Sequence, residues 1–278
     1  MRPLKDMVRW SKQKGRRVGI LELRPRDLCG LWGQLSEEMR TRDRREWAGG
    51  TPEELEYELR HGRRGALKEA ERLAWKIDAQ SRDTGNAYTI DSFIAGGSVS
   101  VPSVLAGSPL AFRRPVPTPS HQGVRVWVDI AASCTYKASQ LQTRGLMAIA
   151  LARTLSRTRP VELIAVDGTG NEDGRYGAMV IRLGARPIDW SATSAILGSA
   201  NLYRRLGIPL SCIASGIIEN LGEWKNQQGG GDIIGANPAL LNALGVQKHD
   251  VYLAGAHIDR DDLENPVDWV KQKIAQIS

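Results

Sequence analysis

Long apolar runs are missing from this chain. No stretch among its 278 residues approaches the roughly 20 apolar positions that cross a bilayer. The opening segment MRPLKDMVRWSKQKGRR is basic with no apolar run behind it, so no secretory signal is expected. Cysteine is scarce as well. Cys29, Cys134 and Cys212 are odd in number, far apart and never in a CxxC pair, which argues against a disulfide framework and a thiolate zinc site. Pro-rich tracts are few, and 41% apolar against 25% charged residues supports a proper core. The expectation is a soluble, cytoplasmic protein that does not engage a membrane.

Acidic charge is in deficit at one end only. Residues 1–82 carry 20 Lys and Arg against 14 Asp and Glu, whereas the remaining 196 hold 18 against 17. Arg2, Lys5, Arg9, Lys12, Lys14, Arg16 and Arg17 gather around Trp10, and Arg40, Arg42, Arg44 and Arg45 lie beside Trp47. Basic side chains interleaved with tryptophan favour polyanions, through counterion release and base stacking. The competing interpretation is a solvated face, with Trp10, Trp32, Trp47 and Trp75 building a small core.

Residues 1–82 read as a mainly helical, Trp-rich region. Thr51 as N-cap, Pro52 at the first helical position and Glu53–Glu54 in the first turn open one helix. His61–Gly62 interrupts the pattern, and Leu67, Leu73, Ala74 and Ile77 resume it in a second. Residues 83–123 form a Gly- and Pro-rich connection, with SVSVPSVL as a short edge strand and PVPTPSHQG as an extended linker. Residues 124–278 then alternate strand and helix. Strands are expected at 124–130, 160–166, 178–183, 208–215 and 251–256, and helices at 138–158, 191–206 and near the C-terminus. That pattern indicates an α/β fold with a mostly parallel central sheet flanked by helices. DGTGNEDG (167–174) reads as a hairpin loop, which makes the second and third strands an antiparallel pair.

The first strand of that region ends VRVWVDIAASCTYKAS (124–139). Ligands of open parallel sheets sit beyond such strand ends. The turn from 129 to 139 lacks glycine, so phosphate-cradling and dinucleotide turns are excluded. Ser133 or Cys134 as a nucleophile would need a base, and no histidine spacing supplies one. A hard cation remains, because Asp129 and Ser133 place two oxygens at one strand end. The alternative is that Asp129 caps the helix that follows.

At these residues the chain resembles a von Willebrand factor type A domain, and within that group bacteriophage proteins of uncharacterised function that carry a degenerate form. AGSPLAFRRPVP, PVELIAV, ARPIDWSATSAILGSANLYRRLGI and WAGGTPEELEYELRHG are the landmarks of the likeness. The family motif D-x-S-x-S binds Mg²⁺ or Mn²⁺; here it reads D-x-A-x-S, with Ala131 in place of a serine ligand. The resemblance implies Asp129 and Ser133 as metal ligands, with Thr193 or Ser191 as the threonine element. For the later aspartate it offers Asp167–Gly168, out of order, or Ser215–Gly216. With a ligand lost, it implies no cofactor, or at most Mg²⁺ at a degenerate site. It further implies a non-enzymatic adaptor or assembly protein with a protein partner, such as an AAA+ ATPase or a phage assembly, in the host cytoplasm. Nucleic-acid binding through the basic N-terminal region, to DNA or RNA, is the second function class. A metal-dependent hydrolase using Asp129, Asp167, Glu172 and Asp173 is the third. Gly229, Gly230 and Gly231, before Asp232, mark a loop or a close backbone approach of unassigned role.

Overall fold

In the computed structural model the described residues are 4–13, 16–34, 48–81, 88–93, 98–107, 112–117, 123–131, 136–157, 159–170, 175–184, 188–214, 238–253 and 264–275. A short 3-10 helix (Leu4–Met7) leads into β1 (Val8–Gln13), which pairs antiparallel with β2 (Arg16–Leu23). The first part of the region expected to be mainly helical, residues 8–23, is therefore a hairpin. The apolar run Val18–Leu23 explains the difference. Ile20 is buried on one face of β2 and Leu21 on the other, the signature of an interior strand covered on both sides.

Helices follow: α1 (Pro25–Gln34), α2 (Pro52–His61) and α3 (Arg64–Ser81). The expected start of α2 holds in detail. Thr51 Oγ1 accepts the Glu54 amide at 3.2 Å, and Glu54 Oε2 accepts the Thr51 amide at 2.7 Å. The expected break falls at Gly62, whose amide donates to Glu58 O at 2.8 Å. In the connecting region β3 (Tyr88–Phe93), β4 (Ser98–Val99) and β5 (Phe112–Pro117) form a small antiparallel sheet ordered β3-β5-β4. The edge strand expected in SVSVPSVL is only two residues long, and α4 (Val101–Leu105) takes the remainder of that segment.

The larger sheet runs β1-β2-β8-β7-β6-β9, with β6 (Val124–Asp129), β7 (Val161–Gly170), β8 (Arg175–Gly184) and β9 (Val251–Leu253). β7 and β8 are the expected antiparallel pair, while β6 pairs parallel with both β7 and β9. β2 joins parallel to β8, so the sheet takes two strands from the N-terminal third.

On one face, Leu21, Val126, Leu163 and Ile181 pack beneath α5 (Ala138–Leu155), α6 (Trp190–Gly198) and α10 (Pro266–Ala275), together with α1, α2 and α3. On the other, Ile20, Trp127, Ile164 and Val180 pack against α9 (Pro238–Leu244). Helices α5 and α6 approach until a Cβ on Gly145 would lie 1.7 Å from Leu197 O.

The strand expected at 208–215 is a helix. After α7 (Ala200–Leu202) a π turn (Tyr203–Gly207) runs directly into α8 (Ile208–Ala214). A short apolar run cannot by itself separate a buried strand from a buried helix, and Pro209–Ala214 are all buried.

Candidate functional site

β6 ends on Asp129. Its parallel register pairs Asp129 with Val166, so Asp167 stands one residue further along the neighbouring strand. Both carboxylates are buried. Asp129 Oδ1 accepts the Ala131 amide at 2.9 Å, and Oδ2 accepts the Tyr252 hydroxyl of β9 at 2.8 Å. Asp167 Oδ2 accepts the Ser211 hydroxyl from α8, while Oδ1 has no partner.

From α5, buried Arg144 donates through Nη1 to Ala131 O at 2.9 Å. Ala131, where the type A resemblance would have a serine, thus offers its backbone carbonyl to an arginine. Burial disfavours the guanidinium charge, and the attraction of Asp129 is foremost in restoring it, followed by Tyr203, Tyr136 and Asp167. Burial pushes the Asp167 carboxyl up to about 7; the Ser211 hydroxyl pulls it down, and the Asp129 charge raises it further. Near neutral pH Asp167 therefore holds a proton that an ordinary aspartate has lost, which lowers the negative charge facing Arg144. The π turn belongs to this arrangement, since it carries Tyr203 and runs straight into the helix that holds Ser211.

These residues do not fit Mg²⁺. The oxygens of Asp129 are already engaged, and Arg144 supplies positive charge where a divalent cation would have to sit. Thr193 is buried in α6, where its hydroxyl has no partner and so makes no bond to Asp129. Ser191 Oγ donates to His61 O at 3.0 Å. Asp129 does not cap the next helix either. That helix begins at Ala138, and Gln140 Oε1 accepts the amide of the preceding Lys137 at 2.8 Å. Ser133, Glu172, Asp173, Ser215, Gly216 and the Gly229–Gly231 triplet lie outside the described residues.

Arg144, Ser211 and Tyr252 were not singled out from the sequence. Only Arg144 left a trace there, as a lone charge heading the apolar stretch Leu146–Leu151. Asp250 was missed as well. Its buried carboxylate accepts Trp127 Nε1 and Arg125 Nε, each at 3.0 Å, and so ties the entry of β9 to β6.

The basic cluster around Trp10 lies on the β1–β2 hairpin. Trp10 is 41% exposed, and the Arg17 guanidinium stands 3.8 Å from its ring centroid. A Cβ on Gly19 would meet Ala214 O first, at 1.8 Å, and the Trp10 ring at 3.0 Å, so this glycine chiefly admits the end of α8. Lys12 lies directly opposite Arg17. Arg9 reaches Glu22 at 4.0 Å and Ala243 O at 3.5 Å. Arg2 and Lys14 lie outside the described residues, as do the side chains of Lys5 and Arg16. Trp32 is a core residue, as the competing interpretation required, whereas Trp75 is 64% exposed.

Fold and sites together define an α/β protein with a charged, buried cluster at its central strand ends and a basic hairpin at one sheet edge. The chain belongs to the DUF7192 family, described as a domain of unknown function, whose model matches residues 24–273. No curated protein and no solved structure matches it. No helix among the described residues is long and apolar enough to cross a membrane.

Proposed function

We propose that the protein is a non-enzymatic binding protein that contacts nucleic acid through its N-terminal hairpin. The observation that carries this is the exposed Trp10 with Arg17 stacked upon it and Lys12 alongside. Like charges directly across a strand pair destabilise it, so the Lys12–Arg17 pairing is a cost to the fold that a bound phosphate would offset. A guanidinium plane is also a surface on which a base can stack. The buried cluster at Asp129 serves the architecture in this reading, because its groups are turned on one another.

The test is binding of labelled single- and double-stranded DNA at about 50 and 200 mM salt. Wild-type affinity is expected to fall roughly tenfold or more between the two. Lys12→Gln with Arg17→Gln is expected to lower the slope of log affinity against log salt by about two. Point variants are the right tool, because removing residues 1–26 would delete two strands of the sheet. Absence of binding at the lower salt would sink the proposal.

A second reading rests on a different surface. Val99, Val101, Val104 and Leu105 are all exposed, Leu105 at 82%, and an apolar patch of this kind suits a protein partner. In that reading the protein is an adaptor of the sort the type A resemblance implies, working in a phage assembly or beside an AAA+ ATPase. A partner titrated against Leu105→Asp would bind more weakly than to wild type, and equal affinity would remove this surface from consideration.

A further inference from the structure

A groove away from the hairpin and the buried cluster is built from two helices. It is open to solvent, offers about 460 Å³, and is lined by Glu71, Arg72 and Trp75 of α3, with Arg153 of α5 and Arg157 just beyond its end. That volume falls within the roughly 300–1,000 Å³ range of small-molecule sites. Arg72 and Trp75 are three residues apart on one face of α3, and Arg153 and Arg157 four apart at the end of α5.

The wall formed by Arg153 is fixed in place. Its Nη1 lies 3.0 Å from Glu71 Oε1, and its guanidinium stands 4.8 Å from the Trp190 ring centroid. Glu71 pairs with Arg153, and Arg72 adds a positive charge to the lining that this carboxylate does not offset. Trp75 and Arg72 are committed to nothing. Among the described residues no cation or ring stacks on Trp75, and no carboxylate pairs with Arg72. A tryptophan of the core would be covered, and an arginine kept only to satisfy a neighbour would be paired. Here an open indole plane and an unpaired guanidinium share one cavity beside a rigid arginine.

We propose that this groove binds a nucleoside phosphate, the base stacked on Trp75 and the phosphate held by Arg72 with Arg153 and Arg157. The ligand has two possible sources with the same chemistry, a free nucleotide or one unit of a single strand. The site is separate from the hairpin and does not depend on it.

The experiment titrates full-length protein with a labelled single-stranded oligonucleotide and, separately, with AMP. Wild type is compared with Trp75→Ala, Arg72→Gln and the Lys12→Gln/Arg17→Gln hairpin variant. Both groove side chains are exposed, so their substitution leaves the fold intact. Trp75→Ala is expected to weaken oligonucleotide binding about tenfold. Arg72→Gln is expected to lower the salt slope by about one. Loss in these variants without displacement by AMP assigns the groove to a strand, whereas AMP binding that Trp75→Ala abolishes assigns it to a free nucleotide. A loss confined to the hairpin variant overturns the groove and keeps the hairpin; a loss confined to the groove variants does the reverse. Groove variants that bind both ligands as wild type does, or a wild type that binds neither, also overturn it.

Discussion

Asp167 is the residue whose chemistry is most displaced by its surroundings. Its ordinary value of 3.8 becomes about 7 in the fold. Between those two values the folded chain holds a proton that the unfolded chain has released, so stability falls as pH rises through that window and levels off above it. Asp167→Asn keeps the shape of the neutral acid and is expected to flatten this slope, as read from denaturant midpoints between about pH 4 and 8. A parallel decline in the variant would place the slope elsewhere. Asp250 gives a prediction of a different kind. Its carboxylate serves Trp127, Arg125 and the Gln247 amide together. Truncation leaves a buried indole N–H without an acceptor and an arginine without its ion. Asp250→Ala is expected to destabilise the protein by about 2–4 kcal/mol in urea unfolding; a loss below about 1 kcal/mol would mean that water replaces the carboxylate.

At the scale of elements, Gly145 sets two effects against each other. Helix propensity alone favours Gly145→Ala by about 1 kcal/mol. The added Cβ, however, would meet Leu197 O, a backbone atom that cannot rotate aside. Separating α5 from α6 to relieve it is expected to reverse the sign, with a net loss of about 1–3 kcal/mol in the same unfolding measurement. A stabilised variant would show that the two helices slide freely. Elements with local signals were readable from the chain: the capped start of α2, the stop at Gly62, and the antiparallel pairing of β7 with β8, although β7 runs on through Gly170 into the segment expected as a loop. Those fixed by long-range partners were not. Val18–Leu23 becomes a strand because β8 lies beside it, and Ile208–Ala214 a helix because the π turn delivers it already wound. The site divides the same way. Asp129 stood out at a strand end, whereas Tyr252, which bonds it, Ser211, which bonds Asp167, and Arg144, which bonds Ala131 O, come from three elements that no spacing connects.

For the whole molecule, Arg9, Lys12 and Arg17 of the basic N-terminal segment are carried on the hairpin at a sheet edge, a placement composition did not reveal. Binding and stability are therefore joined in the same strands, and only substitutions on the outward side chains separate them. The pairing of β2 with β8 has a further consequence. Leu21 leaves the ribosome well before its partner Met179. Until β8 appears, the apolar second strand has no lasting neighbour on that side. The hairpin is thus made well before the strand it docks on, and pairings across so much sequence slow folding.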